Sequence, residues 1–416
     1  TDRRRTGSLG PPKIADIRMP QSDKFDSDGS NSIDAISNVI KKIVVLHGFH
    51  NQRIALENAI VLSWFLNRTL VMPPSLLGIR RPLHKLEKNL SGLRSEPPEI
   101  VCKDAKPEYK PSCIQFHNSY TFYQWDSLFN FSVVAEYNVK ILPLSDYSDK
   151  RLFNILNISD PLNQVYKSFT IHTNHSFYDF ETLDAKTLQK NPNKNLESLL
   201  ALRNNTKKLF YFGSLFGTNR LILKSRESKK FLNKIRSNLM PNNKIMLEVV
   251  DKIVDNLGGY LKFISVHARI GDSHFRSNRD QHLTKFINDI NKDFPNLSNF
   301  QQTSYSNYSC QPQSHFNSSI PNLFVASDVT KNSKLIIPFI KVFPCLYMLS
   351  DFYPFLEPYR TLKNPIDNKI LYKFLLPLTD LMVAARASNI YSVHASTFGR
   401  YLNTYHHFLD RNIVID

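Results

Sequence analysis

The sequence has few of the features that mark membrane, zinc-binding or nucleic-acid-binding proteins. No apolar run in its 416 residues reaches the roughly 20 residues that are needed to cross a bilayer. It contains only four cysteines, and none has the close spacing of a zinc site. No signal peptide is visible, and the basic residues form neither a long Lys/Arg block nor a recognisable RNA-binding signature. These absences argue against a spanning helix, a zinc module and a dedicated nucleic-acid-binding protein.

What the composition does contain is typical of a folded, strongly basic protein. Apolar residues make up 42% of the chain and aromatic residues 12%, which excludes wholesale disorder. A chain of this length fits two domains better than one core. The net charge of +17 suits a nucleic acid, an acidic membrane surface or an anionic substrate. Because the basic residues are dispersed, a nucleotide-bearing substrate needs fewer assumptions than a polynucleotide, and we expect no nucleic-acid partner.

The cysteines and the glycosylation sequons indicate a compartment. In chain order the cysteines form two local pairs, Cys102 with Cys113 and Cys310 with Cys345, and we predict a disulfide in each. Nine Asn-x-Ser/Thr sequons occur, at Asn67, Asn89, Asn130, Asn157, Asn174, Asn204, Asn296, Asn307 and Asn317. Together these features favour an oxidising, glycosylating compartment, the lumen of the ER or Golgi. The abrupt start of the sequence is what a chain released from an N-terminal membrane anchor and stem would show.

Alternating strands and helices predict an α/β fold. Residues 42–46 have the pattern of a buried strand, residues 54–66 have helical spacing, and residues 69–72 form a second strand. A strand, helix and strand in succession imply a parallel sheet. The same order recurs in the second half of the chain. We predict a poorly ordered linker over residues 1–35, an N-terminal Rossmann-like domain over 36–224 and a C-terminal one over 225–416.

The most informative stretch is the predicted strand 262–266 and the polar residues that follow it. His267 and Arg269 are two positions apart, so on an extended backbone both point to the same side. Gly271 permits a sharp exit, and open α/β sheets place ligands where strands end. A guanidinium beside an imidazole suits a phosphate or diphosphate. The alternative is a buried strand end in which Arg269 pairs with Asp272.

A second polar stretch, residues 47–53, lies between the first strand and the first helix. Its glycine, asparagine, glutamine and arginine are predicted at a helix N-terminus, where free backbone N–H groups attract anions. This stretch is therefore a second candidate anion site. The alternative is that Asn51 only caps the helix.

Three blocks of the sequence resemble one known family. His-Ala-Arg-Ile-Gly at 267–271 resembles its His-x-Arg signature after a strand. Phe-His-Asn-Gln at 49–52, with Asn-Arg-Thr-Leu at 67–70 before two prolines, resembles its N-terminal block. Residues 387–398 resemble a third block, in which small hydroxyl residues meet a diphosphate. In order and spacing the chain resembles the GDP-fucose-dependent fucosyltransferases of the protein O-fucosyltransferase superfamily, which includes core α1,6-fucosyltransferases and a rhizobial Nod-factor enzyme.

The resemblance implies a GT-B fold, with two Rossmann-like domains facing a central cleft and the donor held mainly by the second. It implies inverting transfer of L-fucose from GDP-fucose, release of GDP, and no metal or other cofactor. The implied acceptor is a glycoprotein, and the first-turn block slightly favours a protein Ser/Thr hydroxyl over the core GlcNAc of an N-glycan. A non-catalytic nucleotide-sugar or glycan-binding protein on the same fold is the other class that remains.

The resemblance also implies roles for individual residues. Arg269 would meet the β-phosphate of the donor as the leading catalytic residue, and Asn51 lies in the catalytic first turn. The other residues implied in donor binding are Gly48, Phe49, Arg53, His267, Gly271, Ser396, Thr397 and Phe398.

The sequence departs from the family pattern at two places that matter for these roles. Relatives usually carry aspartate at the position of Ser388, where it suits the N–H edge of guanine, and Asp328 or Asp380 is a candidate to compensate. Gly48 stands where relatives have arginine, and Arg53 or His50 is a candidate substitute. The first turn also has no glutamate to act as base. The candidates for the acceptor-activating base are His50, in the first turn, and Asp272, after the predicted strand 262–266. Glu57, one helical turn further on, is interpreted as too deep or as a capping partner.

Overall fold

The structure is a computed structural model that describes residues 39–42, 48–78, 96–144, 149–168, 175–181, 189, 195–212, 215–216, 220–271, 273–295, 321–343, 345–393 and 396–413. The predicted linker over residues 1–35 lies outside these ranges, as do Asp272 and Cys310. No helix within the described ranges is both long and apolar enough to cross a membrane.

The described strands are numbered in chain order. They are β1 (Val39–Lys42), β2 (Thr69–Met72), β3 (Ser75–Leu77), β4 (Thr121–Tyr123), β5 (Ile141–Pro143), β6 (Val165–Ser168), β7 (His175–Tyr178), β8 (Asn195–Ser198), β9 (Leu209–Phe212), β10 (Leu221–Ile222), β11 (Phe263–Ala268), β12 (Asn322–Ser327), β13 (Leu346–Tyr347) and β14 (Asn389–Ser392).

The described α-helices follow the same convention. They are α1 (Phe49–Leu66), α2 (Pro98–Val101), α3 (Lys110–Asn118), α4 (Ser132–Glu136), α5 (Asp149–Ile155), α6 (Pro161–Gln164), α7 (Leu199–Arg203), α8 (Arg226–Asn238), α9 (Lys244–Asn256), α10 (Ser273–Arg276), α11 (Arg279–Asp293), α12 (Ile337–Val342), α13 (Pro358–Thr361), α14 (Tyr372–Ala384) and α15 (Thr397–Ile413). A 3₁₀ helix spans Leu349–Leu356.

The N-terminal half is built on a five-stranded parallel sheet with the strand order β5-β2-β1-β9-β6. This confirms the predicted parallel sheet, although β1 precedes the predicted strand at 42–46, of which residues 43–46 are not described. Helix α1 begins at Phe49, earlier than the predicted start at residue 54, because Gly48 takes the N-cap position. The polar residues that were predicted as a turn therefore form the first turn of the helix.

The C-terminal half is built on a second parallel sheet, with the order β13-β12-β11-β14. Its central strand β11 is buried along all six residues, as expected of a strand covered on both faces. Helix α1 packs against α8 and α15, so it lies between the two halves. The α/β class with two parallel sheets is confirmed, while the exact boundary at residue 224 stays a prediction.

One disulfide, between Cys102 and Cys113, joins α2 to α3 as predicted. It leaves these sulfurs unavailable to a metal, although His117 lies close to them. Cys345 is also disulfide-bonded. Its predicted partner, Cys310, lies outside the described residues, so that pairing stays a prediction.

Candidate functional site

Three chain segments that are distant in sequence meet at the carboxyl end of β11. They are the strand end itself, the N-terminus of α15 and the first turn of α1. Carboxyl ends of parallel strands share one edge of a sheet, and β14, which leads into α15, pairs with β11. The meeting is direct, because the Phe398 ring of α15 stacks on the His267 ring at 4.3 Å and lies edge-on to the His50 ring at 5.1 Å.

Both histidines in this group are buried and neutral. Burial lowers the pKa of His267 to about 3, with a further contribution from the positive charge of Arg269. Burial also lowers the pKa of His50 well below its usual value, and Arg53, His267 and Arg269 add to the shift. Among the described residues, neither Nδ1 atom has a hydrogen-bond partner. Each ring therefore has a buried nitrogen whose hydrogen-bonding capacity is not used by the described residues.

We expect the buried His267 to make stability depend on pH. Its pKa lies below the ordinary 6.5, so between about pH 6.5 and 3 the unfolded chain binds more protons and stability falls as the pH falls. The slope from one such histidine is at most about 1.4 kcal/mol per pH unit. Urea unfolding at pH 7, 6 and 5 should show a flatter dependence for His267→Gln than for wild type. The exposed His407, changed to Gln, is the control, and equal slopes for all three proteins would contradict the prediction.

Asp328 fixes the backbone of the loop that follows β11. Its carboxylate accepts hydrogen bonds from the backbone N–H groups of Ile270, at 3.0 Å, and Gly271, at 3.0 and 3.1 Å. A Cβ atom on Gly271 would lie 2.8 Å from Val329 Cγ1, so glycine is required by the close approach. Asp328 had been predicted as a candidate for guanine recognition. The structure instead places its carboxylate under the loop that presents Arg269.

The Arg269 side chain itself is half-buried, with its guanidinium carbon 5.2 Å from the centre of the Phe275 ring. The predicted neighbour Asp272 lies outside the described residues, so the alternative of an Arg269–Asp272 ion pair stays open.

A buried ionic cluster lies behind this edge and was not predicted as a unit. Arg53 pairs with Glu57 one helical turn along α1, and its guanidinium carbon lies 3.7 Å from the centre of the Tyr401 ring. Arg236 of α8 approaches the other Glu57 oxygen at 3.8 Å. Two guanidinium groups thus share one carboxylate that is only 2% exposed. The cluster has excess positive charge, which favours a nearby anion.

The N-terminus of α15 is formed as predicted by small hydroxyl residues. Ser396 is buried and precedes the helix, and its Oγ lies 3.5 Å from the Gly399 nitrogen. Gly399 allows the helix to approach β14, since a Cβ atom there would lie 2.9 Å from the Val393 carbonyl oxygen. Thr397 and Phe398 are the first helical residues, so their N–H groups belong to the turn that has no intrahelical acceptors.

Some residues in the first turn of α1 make structural contacts, and others belong to the candidate site. Gln52 both donates to and accepts from the backbone of Leu76, at 2.8 and 2.9 Å, and so fixes β3. Phe49 stacks against the Trp125 and Phe129 rings. Asn51 does not cap the helix, because the N-cap is Gly48 and the Asn51 Oδ1 has no partner among the described residues.

The structure keeps Ser388 and Asp380 apart from this group. The Ser388 hydroxyl donates to the Phe263 carbonyl at 3.0 Å, at the beginning of β11, so it lies at the opposite edge of the sheet from Arg269. The length of the strand, roughly 16 Å, separates the two edges. Asp380 lies within α14, where burial raises the pKa of its carboxyl well above the usual value. No contact within the described residues joins Asp380 to His267, Arg269 or Ser396.

Sequence reasoning missed Arg236 and Tyr401 as members of the site, and it interpreted Glu57 as too deep to act as base or as a capping partner. The spacing of Arg53 and Glu57, four residues apart on a helix, was a signal for their ion pair. Nothing local marks Arg236 or Tyr401, which reach the cluster only through packing of α8 and α15 against α1.

Comparison with known proteins gives a likeness at the level of structure only. No family model and no curated protein sequence matches the chain. A crystal structure of POFUT1 in complex with GDP covers 89% of this chain and 94% of its own, with 13% identity and a TM-score of 0.44. A second crystal form of that complex has 12% identity and a TM-score of 0.45, and covers 90% and 96% of the two chains.

A structure of NodZ α-1,6-fucosyltransferase co-crystallised with GDP shows a similar level of likeness. It covers 88% of this chain and 91% of its own, with 14% identity and a TM-score of 0.37. NodZ from Bradyrhizobium has the same coverage at 13% identity, with a TM-score of 0.37. At these values no statement about activity rests on the likeness. The chain is thus similar along most of its length to solved fucosyltransferases.

Proposed function

We propose that the chain is a fucosyltransferase that moves L-fucose from GDP-fucose to a glycoprotein acceptor. The observation that carries the proposal is the convergence of Arg269 and the N-terminus of α15 at one edge of β11, in front of a cluster with excess positive charge. A diphosphate is the ligand class whose charge matches these donors. The sequence blocks that resemble the family fall on the same residues, which supports GDP-fucose as the donor.

In the proposed step the acceptor oxygen bonds to the anomeric carbon of fucose from the face opposite the diphosphate. The bond from that carbon to the β-phosphate oxygen breaks, and the diphosphate leaves as GDP with the electron pair. Arg269 and the N–H groups at Thr397 and Phe398 stabilise the departing charge. The neutral His267 and the stacked Phe398 shape the wall beside it. We propose that these protein donors perform the task without a divalent metal.

The acceptor proton needs a base, and His50 is the candidate within the described residues. Its unused Nδ1 lies in the first turn of α1, beside Asn51. The strongly lowered pKa makes His50 a weak base in the free protein, but a bound diphosphate would bring negative charge and raise its pKa. Asp272 remains the other candidate.

The acceptor class is tested by incubating the full chain with GDP-fucose and a panel of Ser/Thr-bearing protein domains and N-glycans. We expect GDP release and a deoxyhexose mass addition on the protein domains, with equal rates in the presence of EDTA. Addition only to the core GlcNAc of N-glycans would reassign the acceptor. Binding of GDP-fucose with no transfer to any acceptor would support the non-catalytic alternative, in line with Gly48 and the position of Ser388.

We also propose that the protein works in the lumen of the secretory pathway. The Cys102–Cys113 disulfide and the exposure of three sequon asparagines, Asn67, Asn157 and Asn204, support this. When the chain is produced in a secretory host, peptide-N-glycosidase should lower its mass, and changing these three asparagines to Gln together should reduce that shift. An unchanged mass after treatment of the wild-type chain would contradict the proposal.

A further inference from the structure

A cavity of about 620 Å³ opens between the two halves of the chain, apart from the residues of the candidate site. One wall comes from the start of the disulfide-bonded helix pair, at Pro97 and Pro98. The other comes from Arg360 and from the segment that leads into α14, including Ile370 and Tyr372. The volume lies within the range of pockets that hold small molecules or side chains of a partner.

The walls of this cavity are fixed by buried polar contacts that cross between the halves. Thr121 of β4 donates to the Asp367 carboxylate at 2.7 Å and accepts from the Asn364 amide at 2.6 Å. The Lys369 ammonium donates to the carbonyl oxygens of His117 and Tyr120, at 2.6 and 2.9 Å. Because the buried donors and acceptors of this network are hydrogen-bonded to one another, the network keeps the segments that carry them in one arrangement. The cavity is therefore preformed.

The cavity is connected to the candidate site through the antiparallel pair of β3 and β4. Gln52, in the first turn of α1, fixes Leu76 of β3 through two hydrogen bonds. Two residues along, Gly78 lies so close to Phe374 that a Cβ atom would be 2.5 Å from its ring. Phe374 lines the cavity. The wall of the cavity is thus connected to the first turn of α1 through β3.

The lining of the cavity combines aliphatic, aromatic and charged groups. Ile370 is 51% exposed, Tyr372 adds an aromatic ring, and Glu99 is the exposed carboxylate of the lining. The Arg360 guanidinium lies 4.5 Å from the centres of both the Tyr353 and Tyr372 rings. Lys373 forms no ion pair within the described residues, and its ammonium donates to the Asn118 carbonyl oxygen at 2.7 Å.

From this lining we propose that the cavity binds a polypeptide segment of the acceptor protein, one that carries an apolar side chain next to a carboxylate. The inference rests on the proposed function and specifies its acceptor side. The exposed Ile370 side chain and the Tyr372 ring gain from burying apolar surface, which a polypeptide offers and a hydroxyl-rich glycan offers far less. Lys373 and the net charge of +17 favour an acidic segment.

The test is selection of a phage-displayed library of short random peptides on the full chain with GDP present. Selected peptides should contain an apolar residue near Asp or Glu, and a synthetic copy should lose affinity about tenfold for Ile370→Asp and for Lys373→Glu. Ile337→Asp changes another exposed isoleucine, 41% exposed and located on α12, and as the control it should bind like wild type. No selection, or equal affinity for all variants, would overturn the inference.

Calorimetric binding of GDP separates this inference from the proposed function. Wild type, Ile370→Asp and Lys373→Glu should all bind GDP equally, because neither residue lies at the carboxyl end of β11. Peptide selection by a chain that fails to bind GDP would refute the donor assignment and leave the peptide site standing. GDP binding without peptide selection would support the donor assignment and refute the peptide site.

Discussion

Replacing Arg269 with alanine is expected to lower the turnover number on the order of 100-fold or more. The guanidinium is placed at the carboxyl end of the buried strand β11, on a loop whose backbone is fixed by Asp328. Removing it leaves the departing diphosphate with fewer donors, and that charge is largest in the transition state. The loss should therefore appear mainly in kcat, measured as GDP release at saturating GDP-fucose.

Two further variants show whether the effect comes from the bidentate guanidinium. Arg269→Lys keeps the charge but loses the fork of donors, so it should recover only part of the turnover. Arg276→Ala removes an exposed arginine from the nearby helix α10 and should leave turnover unchanged. Equal turnover in Arg269→Ala and wild type, with both folded in urea titrations, would remove the central argument for the site.

Replacing Glu57 with alanine is expected to destabilise the fold by about 3–5 kcal/mol. Glu57 is 2% exposed and is the carboxylate that Arg53 and Arg236 share. Its loss leaves Arg53, which is 6% exposed, buried beside a second guanidinium without a counter-charge. Equilibrium unfolding in urea measures the change in the free energy of unfolding.

The matched control is Asp289→Ala, which removes the carboxylate of an exposed ion pair with the same spacing, Lys285–Asp289. That change should cost about 0.5 kcal/mol or less. The double variant Arg53→Met with Glu57→Leu should recover much of the loss, because it removes the two most buried charges together and leaves only Arg236, whose side chain is 33% exposed. A loss for Glu57→Ala as small as that for Asp289→Ala would show that the cluster is not a buried ionic unit.

Strands with a clear local pattern were predicted close to their observed bounds. β2 has the predicted bounds, and β11 begins one residue after the start of the predicted strand 262–266 and continues two residues beyond its end. The start of α1 was predicted too late because the polar residues 49–53 were taken as a turn. Their burial depends on packing of α1 between the two halves, which periodicity does not report.

The sequence by itself determined the α/β class, the local disulfide Cys102–Cys113, and the placement of His267 and Arg269 at a strand end. These follow from short-range pattern, since strand and helix periods and the fixed geometry of parallel sheets act within a few residues. Only the tertiary structure decided that His50 meets Phe398, that Glu57 serves both Arg53 and Arg236, and that Ser388 faces the opposite edge from Arg269. Apart from Arg53 and Glu57, these relations join residues more than a hundred positions apart. They depend on how whole elements pack, and no local pattern records that.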